Sequence, residues 1–177
     1  SDTWYESREN FDEGQVGVPL KEHKNSGFEL ISGKAQFSGK ILGGCIDSIY
    51  DMFDGERYED MPAVCKKYGL FPSLDDWKDK ILLLESSEEL MPPEKYEKAL
   101  DDLKSTGMFG VISGIIAGKP MNRKYHDEYK RLLAEKTAEY ELPVLCNISI
   151  GHALPRCIIP FGVTAEVDAE KQTITFA

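Results

Sequence analysis

Two side chains in the sequence combine a residue type and a position suited to acid–base chemistry. Glu85 directly follows the apolar run Ile81–Leu84, and His152 lies between Gly151 and Pro155 in a short loop. A histidine exchanges protons near neutral pH and can act as a general base. A carboxylate at the end of a rigid strand can orient the imidazole and balance its charge. The pair therefore predicts proton transfer, although position alone leaves a purely structural histidine equally open.

Two further carboxylates compete for the role of Glu85. Glu88 and Glu89 follow it in the same loop, further from the end of the apolar run. Together with Glu94 and Glu97 they are more typical of a solvated acidic face than of a catalytic group.

The sequence offers no evident nucleophile for this pair. No G-x-S-x-G motif occurs, and Ser86, Ser87 and Ser149 lack the glycine-framed strand-to-helix turn that exposes a serine nucleophile. Cys45 follows two glycines, and a helix N-terminus there would favour its thiolate, so a cysteine hydrolase is a third and weaker reading.

The sequence contains no H-E-x-x-H motif and no His or Cys pair at ligand spacing. We therefore expect neither a metal nor a cofactor.

The hydrophobic pattern predicts the elements that must position these groups. Three apolar runs, Lys80–Leu84, Val111–Ala117 and Pro143–Ile148, are typical of strands buried on both faces. Two amphipathic helices separate the runs, one beginning at Pro92 and one capped by Asn122. This alternation predicts a parallel β-α-β-α-β core with right-handed crossovers.

Polar groups follow each of these three predicted strands. Glu85 follows the first, Lys119 the second, and Asn147, Ser149 and His152 the third. Ligands of parallel α/β sheets gather at the carboxyl ends of the strands. We therefore expect a cleft at this edge, with Lys119 as a substrate-binding residue.

The rest of the pattern predicts antiparallel additions to the core. The fold class is α/β, a mixed sheet with a parallel β-α-β-α-β core plus antiparallel hairpins. One hairpin is expected from Phe28–Ile31 and Ala35–Leu42, ended by Gly43-Gly44, and another from Thr164–Val167 and Thr173–Phe176. The other expected elements are a strand at Arg156–Phe161 and helices at Cys45–Phe53 and Ala63–Tyr68.

Composition and charge exclude several classes of protein. The chain has 177 residues, 41% of them hydrophobic, and a net charge of −10. Such an acidic surface repels phosphate backbones and anionic headgroups, so we expect no nucleic-acid or membrane partner. We also expect a cytoplasmic protein, because the sequence shows no signal-peptide pattern and its four cysteines are typical of free, buried thiols.

The first 27 residues are polar and interrupted by Gly14, Gly17 and Pro19, which predicts a linker. We expect His23 in this segment and His126 in a charged helix to be solvated. The chain begins at Ser1 rather than at methionine, which suggests a processed or cut start.

The sequence contains four motifs in a fixed order: Gly39–Cys45, Lys80–Glu85, Ile112–Pro120 and Gly151–Pro155 with Ile159–Gly162. Together they resemble the C-terminal domain of the LD-carboxypeptidase family of serine peptidases, which includes muramoyl-tetrapeptide carboxypeptidases and microcin C self-immunity peptidases. The resemblance implies the swivelling-type domain of that family.

This resemblance implies a Ser-Glu-His triad divided between two domains. The serine would come from an N-terminal domain that this chain lacks, while Glu85 and His152 match the other two positions. The implied substrate is a muropeptide or a microcin-type peptidyl nucleotide. Immunity-type members place an aromatic residue near the linker that can stack on adenine, and Phe28 is the nearest candidate, although a core role suits it equally. The expected organisation is a linker remnant at residues 1–27 and a C-terminal domain at residues 28–177, inactive alone.

A second reading from another class remains open at this point. In it the chain is a non-catalytic, flavodoxin-like binding module, and Glu85, Lys119 and His152 only line a cleft. Members of the LD-carboxypeptidase family often dimerise, so the resemblance also leaves a homodimer open.

Overall fold

The computed structural model describes residues 1–8 and 10–177. Within them, seven strands form one mixed sheet in the order β3-β7-β6-β5-β4-β8-β9, and β1 pairs with β2 separately. The strands are β1 Thr3–Tyr5, β2 Glu22–Lys24, β3 Glu29–Ser32, β4 Gln36–Cys45, β5 Lys80–Glu85, β6 Gly114–Gly118, β7 Val144–Ile148, β8 Thr164–Asp168 and β9 Thr173–Phe176. The helices are α1 Ile46–Asp54, α2 Met61–Tyr68, α3 Leu74–Trp77, α4 Pro93–Ser105 and α5 His126–Thr137.

Strands β4 to β7 are parallel neighbours in chain order. Because right-handed crossovers between strands in sequential order return on the same side, the helices between them share one face of the sheet. The buried hydrophobic residues of α1, α4 and α5 accordingly belong to one core cluster. The predicted mixed α/β sheet is confirmed, with one more parallel strand than expected. A doubly wound, flavodoxin-like sheet carries helices on both faces, so this topology departs from it.

Helix α4 illustrates how local sequence produces these elements. Pro93 occupies the first turn, where its missing N–H leaves no helical bond unmade. The helix ends before Gly107, whose φ of 81° suits the left-handed conformation that follows a helix. The residues that face the sheet recur at helical spacing and are buried: Tyr96, Ala99, Leu100 and Leu103.

Strand β5 is buried on both faces, as its apolar run predicted. Leu82 and Leu84 point into the helix-side cluster, whereas Ile81 and Leu83 belong to a second cluster on the opposite face. Curling of the sheet covers this opposite face. Strand β3 ends at Ser32 and β4 begins at Gln36. The two strands lie four positions apart in the sheet, a distance of about 19 Å if the sheet were flat. Four residue steps reach about 14 Å at most, so the sheet must curl.

The predicted hairpin between Phe28–Ile31 and Ala35–Leu42 is wrong. Both segments form strands, but β3 pairs with β7, while β4 pairs with β8 and then β5. The side-chain hydroxyl of Ser32 donates to the carbonyl of Leu142 over 2.8 Å, which holds the turn beside β7 instead. The local β-propensity of these two segments therefore predicted that each forms a strand, but not which strand each one pairs with.

Three smaller predictions also fail. Residues 156–161, all of them described, form no strand. Asn122 has a φ of 54° and does not cap a helix, since α5 begins at His126 after Tyr125. The pair Gly43-Gly44 does not end β4, which continues through Cys45.

Replacing Gly43 by alanine is expected to destabilise the domain far more than the same change at Gly44. Both glycines have positive φ, 129° and 146°, so the backbone strain is shared. A Cβ at residue 43 would lie 2.2 Å from the carbonyl oxygen of Leu83, whereas one at residue 44 meets nothing within 4 Å. Urea unfolding should show Gly43→Ala losing about 2 kcal/mol more than Gly44→Ala. Equal losses would mean that the close approach of β4 to β5 is not as described.

Candidate active site

Glu85 and His152 meet at the carboxyl edge of the parallel sheet. The Nδ1 atom of His152 lies 2.9 Å from Oε2 of Glu85 and 3.2 Å from the carbonyl oxygen of Ser86. The Glu85 side chain is 13% exposed and that of His152 is 32% exposed. With a carboxylate and a carbonyl both accepting at Nδ1, the proton of a neutral ring belongs there, and Nε2 can accept once the carboxylate of Glu88 has moved away from it. This is the tautomer that a general base requires.

The backbone of the turn Ile150–Ala153 places His152 beside Glu85. The N–H of Ala153 donates to the carbonyl of Ile150 over 3.3 Å, and both of these residues are buried. Gly151 has a φ of 64°, and a Cβ there would lie 2.2 Å from Oε2 of Glu85. Glycine at this position therefore permits both the turn and the approach of the carboxylate.

The second ring nitrogen of His152 faces Glu88. Nε2 lies 2.9 Å from Oε2 of Glu88, whose side chain is 66% exposed. Glu89 makes no ion pair with His152 among the described residues. Glu85 therefore contacts Nδ1 from a buried strand, whereas Glu88 contacts Nε2 from an exposed loop.

A groove of about 290 Å³ contains this pair on its wall. Next to it lies a second depression of about 270 Å³, and the two share Asp47, Arg57 and Glu89. Asp47 also accepts from the N–H of Ser87 over 3.0 Å, which ties the loop after β5 to α1. Asp47 is absent from the site residues predicted from the sequence, although its position in the first turn of a helix after Gly43-Gly44 could have indicated it. The groove residues are Cys45, Asp47, Ser48, Arg57, Glu85, Ser87, Glu88, Glu89 and His152.

The thiol of Cys45 opens onto this groove but is poorly suited to attack. Burial, with the nearby carboxylates of Glu85 and Asp47, raises the pKa of Cys45 to about 11. A thiol with that pKa is almost entirely protonated at neutral pH, and the thiolate is the nucleophile. The raised pKa of the Cys45 thiol therefore weighs against the cysteine hydrolase.

The structure places Lys119 and Phe28 away from the groove walls. Lys119 is 2% exposed, and its Nζ atom donates to Oδ1 of Asn25 over 3.0 Å and lies 5.4 Å above the ring of Trp4. Phe28 is half-buried and packs against the second core cluster. Their roles in substrate binding stay predictions. In the sequence Trp4 stands out only as an isolated aromatic anchor, and Asn25 gives no signal, because a polar, glycine-broken segment does not indicate tertiary contacts.

Lys119 is expected to make stability depend on pH. Burial, reinforced by repulsion from Arg123 and opposed by Glu29, lowers its pKa from 10.5 to about 8. Between these values the folded chain binds fewer protons than the unfolded chain, so stability rises with pH. Relative to Lys119→Met, the free energy of unfolding should increase by roughly 2 kcal/mol from about pH 7.5 to about pH 9.5. Parallel pH profiles of the two proteins in urea unfolding would contradict this.

Two histidines and one cysteine differ from expectation. His126 is 5% exposed, with Nε2 lying 3.5 Å from a carboxylate oxygen of Glu29, so it is buried rather than solvated. His23 is half-buried because it stacks on Trp4. Cys157 is exposed, whereas its apolar neighbours predicted burial. For the two histidines, contacts with side chains from distant segments decide burial, which local sequence does not report.

Neither a metal site nor a membrane span emerges from the described part of the chain. Across residues 1–8 and 10–177, no three or more His, Cys, Asp or Glu side chains are grouped so as to hold a metal ion. No helix in these ranges is both long and apolar enough to cross a membrane.

The fold and the site together define a mixed α/β domain that presents a His–carboxylate pair at the edge of its parallel strands. The chain belongs to the LD-carboxypeptidase C-terminal domain family, which matches residues 38–167. The resemblance inferred from the four motifs is therefore confirmed.

Relatives and solved structures agree with this assignment. A carboxypeptidase-like protein of Treponema pallidum is 26% identical over 88% of this chain and 42% of its own length. The microcin C7 self-immunity protein MccF of Escherichia coli is 24% identical over 97% of this chain and 45% of its own length. A crystal structure of an MccF-like protein from Streptococcus pneumoniae in complex with AMP is 51% identical, with a TM-score of 0.96 over all of this chain and 51% of that one. The chain thus spans about half the length of the proteins it matches.

Proposed function

We propose that this chain is the C-terminal half of a Ser-Glu-His peptidase and contributes Glu85 and His152. The observation that carries the proposal is the 2.9 Å contact between Nδ1 of His152 and the carboxylate of Glu85. This contact leaves Nε2 on the groove side of the ring, where a nucleophile from a second domain can approach once the exposed Glu88 moves away. The serine itself would come from an N-terminal domain, in keeping with the matched proteins' being about twice as long.

The roles of the two residues follow from the proton transfers that the reaction requires. Nε2 of His152 takes the hydroxyl proton as the serine oxygen attacks the substrate carbonyl, and the ring becomes an imidazolium. Glu85 keeps its negative charge and stabilises this cation through the Nδ1 hydrogen. The imidazolium then returns the proton to the leaving group. Water next attacks the acyl enzyme while Nε2 takes its proton, the bond from the acyl group to the serine oxygen breaks, and the imidazolium returns the proton to that oxygen. Glu88 must leave Nε2 before the serine can reach it.

Two substrate classes fit this chemistry, a muropeptide and a peptidyl nucleotide. The nucleotide class is favoured by the bound ligands of related structures: AMP in the MccF-like protein of Streptococcus pneumoniae and aspartyl sulfamoyl adenosine in MccF. The muropeptide class is supported by the carboxypeptidase-like relatives. The groove of this chain is the surface that either substrate would enter.

A chimera would test the proposal directly. The matching half of the Streptococcus pneumoniae MccF-like protein, 51% identical, can be replaced by this chain. We expect the chimera to hydrolyse a peptidyl nucleotide or a muropeptide tetrapeptide, and the ratio of the two rates identifies the substrate class. A folded chimera that hydrolyses neither, beside a parent protein that hydrolyses one, would contradict the proposal.

The same assay with this chain alone should give no turnover, because the groove holds no activated nucleophile. If the chain alone were active and Ser149→Ala abolished its turnover, the nucleophile would be internal and the two-domain triad would be wrong.

A further inference from the structure

The segment before residue 27 is more than a connection, because part of it is a strand pair packed on the domain. Trp4 pairs with His23, and Tyr5 with Glu22, in an antiparallel register. The flanking residues continue the hydrogen bonding of this ladder: Glu6 N–H donates to the carbonyl of Lys21, and Asn25 N–H to that of Asp2, so the hydrogen-bonded pairs are those of residues 2, 4 and 6. The backbone of Tyr5 therefore points the other way, away from β2.

The outward N–H of Tyr5 reaches the loop that carries His152. It donates to the carbonyl oxygen of Leu154 over 2.9 Å, and the two residues form an isolated antiparallel bridge. Leu154 lies two residues beyond His152. Further along, the N–H of Cys157 donates to the carbonyl of Ser149 over 2.7 Å and closes the base of the loop. The Tyr5 bond is thus a backbone restraint between the histidine and the closed base of its loop.

Trp4 fixes the strand that supplies this bond. Its side chain is 6% exposed, and its ring stacks on that of His23 with centroids 4.3 Å apart. On the domain side, the buried ammonium of Lys119 lies 5.4 Å over the same ring and donates to Asn25, the residue that follows β2. An ammonium over an aromatic face is attractive, and more so when desolvated. Both strands of the pair are therefore held at the edge of the sheet, next to the carboxyl ends of β6 and β7.

We propose that this N-terminal strand pair is a positioning element for the catalytic histidine, with Tyr5 acting through its main-chain N–H and Trp4 and Lys119 holding it in place. The strand pair restrains Leu154, and the restrained loop keeps Nδ1 of His152 on the carboxylate of Glu85. The inference rests on the proposed function, since it assigns a role in keeping the Glu85–His152 pair aligned.

The chain offers a matched pair of substitutions to test this. Tyr5→Pro removes the N–H that bonds Leu154, while Thr3→Pro places the same ring on the same side of β1, where the N–H meets only the Ser1 hydroxyl at 3.3 Å. The readout is the hydrogen-bonded Nδ1 proton of His152, followed by ¹⁵N-edited NMR together with its exchange rate with water. We expect exchange to quicken by about fivefold to tenfold in Tyr5→Pro and to stay unchanged in Thr3→Pro. Trp4→Ala should reproduce the effect of Tyr5→Pro.

Three comparisons separate the outcomes. Glu85→Gln identifies the signal, and if the unsubstituted chain shows no Nδ1 proton that depends on Glu85, both the proposed function and this inference fail. If the signal depends on Glu85 but exchanges equally fast in Tyr5→Pro and Thr3→Pro, only the inference fails. Protection of the Leu83 amide, in the centre of the sheet, reports whether a variant is folded. Should Tyr5→Pro lose that protection, Trp4→Ala decides: a folded Trp4→Ala chain with normal exchange overturns the inference.

Discussion

Replacing Glu85 by glutamine is expected to reduce kcat of the chimera by about 10³-fold to 10⁴-fold, with little change in KM. Glutamine keeps the shape of the side chain but removes the charge that stabilises the imidazolium. Its amide can also present N–H to Nδ1 of His152, which then accepts and moves the ring proton to Nε2. The ring would lose the tautomer needed for a general base. Steady-state kinetics with the favoured substrate measures both parameters.

The matched control is Glu88→Gln, which alters the other carboxylate bonded to the same ring. Glu88 lies 2.9 Å from Nε2 but is largely exposed, and it occupies the place that the serine must take. We expect this change to leave kcat within about threefold of the parent, since an exposed ion pair contributes little. If Glu88→Gln proved the more damaging change, the assignment of the two carboxylates would have to be exchanged.

Sequence patterns predicted the positions of Glu85 and His152 because both depend on local rules. A continuous apolar run indicates a buried strand, and the residue after it falls at the edge where ligands gather. A glycine before the histidine and a proline after it indicate a tight loop at the same edge. The contact between Nδ1 and the carboxylate then follows from neighbouring elements of one sheet, with a single strand, β6, between β5 and β7.

The failed predictions of strand pairing and of burial concern contacts between distant segments. The segments Phe28–Ile31 and Ala35–Leu42 are predicted to pair because they adjoin in sequence. The strands they form, β3 and β4, each pair instead with a strand more than 100 residues away. Burial of His126 and the anchoring of Trp4 likewise depend on neighbours that no local pattern specifies. A hydrophobic period reports which face of an element is buried, but not which element covers it.

Alanine at Gly151 is expected to separate activity from stability more cleanly than any other single change at the site. The new Cβ would lie 2.2 Å from Oε2 and 2.7 Å from Cδ of Glu85, so the carboxylate must leave Nδ1 of His152. Displacement of a catalytic group by about 1 Å costs about 10²-fold in rate. We therefore expect kcat of the chimera to fall by about 10²-fold or more.

The control for Gly151→Ala is Gly162→Ala, which imposes similar backbone strain without the clash. Gly162 has a φ of 75°, close to the 64° of Gly151, and a Cβ there meets nothing within 4 Å. Each variant should lose about 1–2 kcal/mol of unfolding free energy from the left-handed conformation alone. Only Gly151→Ala should also lose the Nδ1 proton signal and the activity. Equal activity in the two variants would show that Glu85 can retreat without consequence, and that its contact with His152 is not what sustains the reaction.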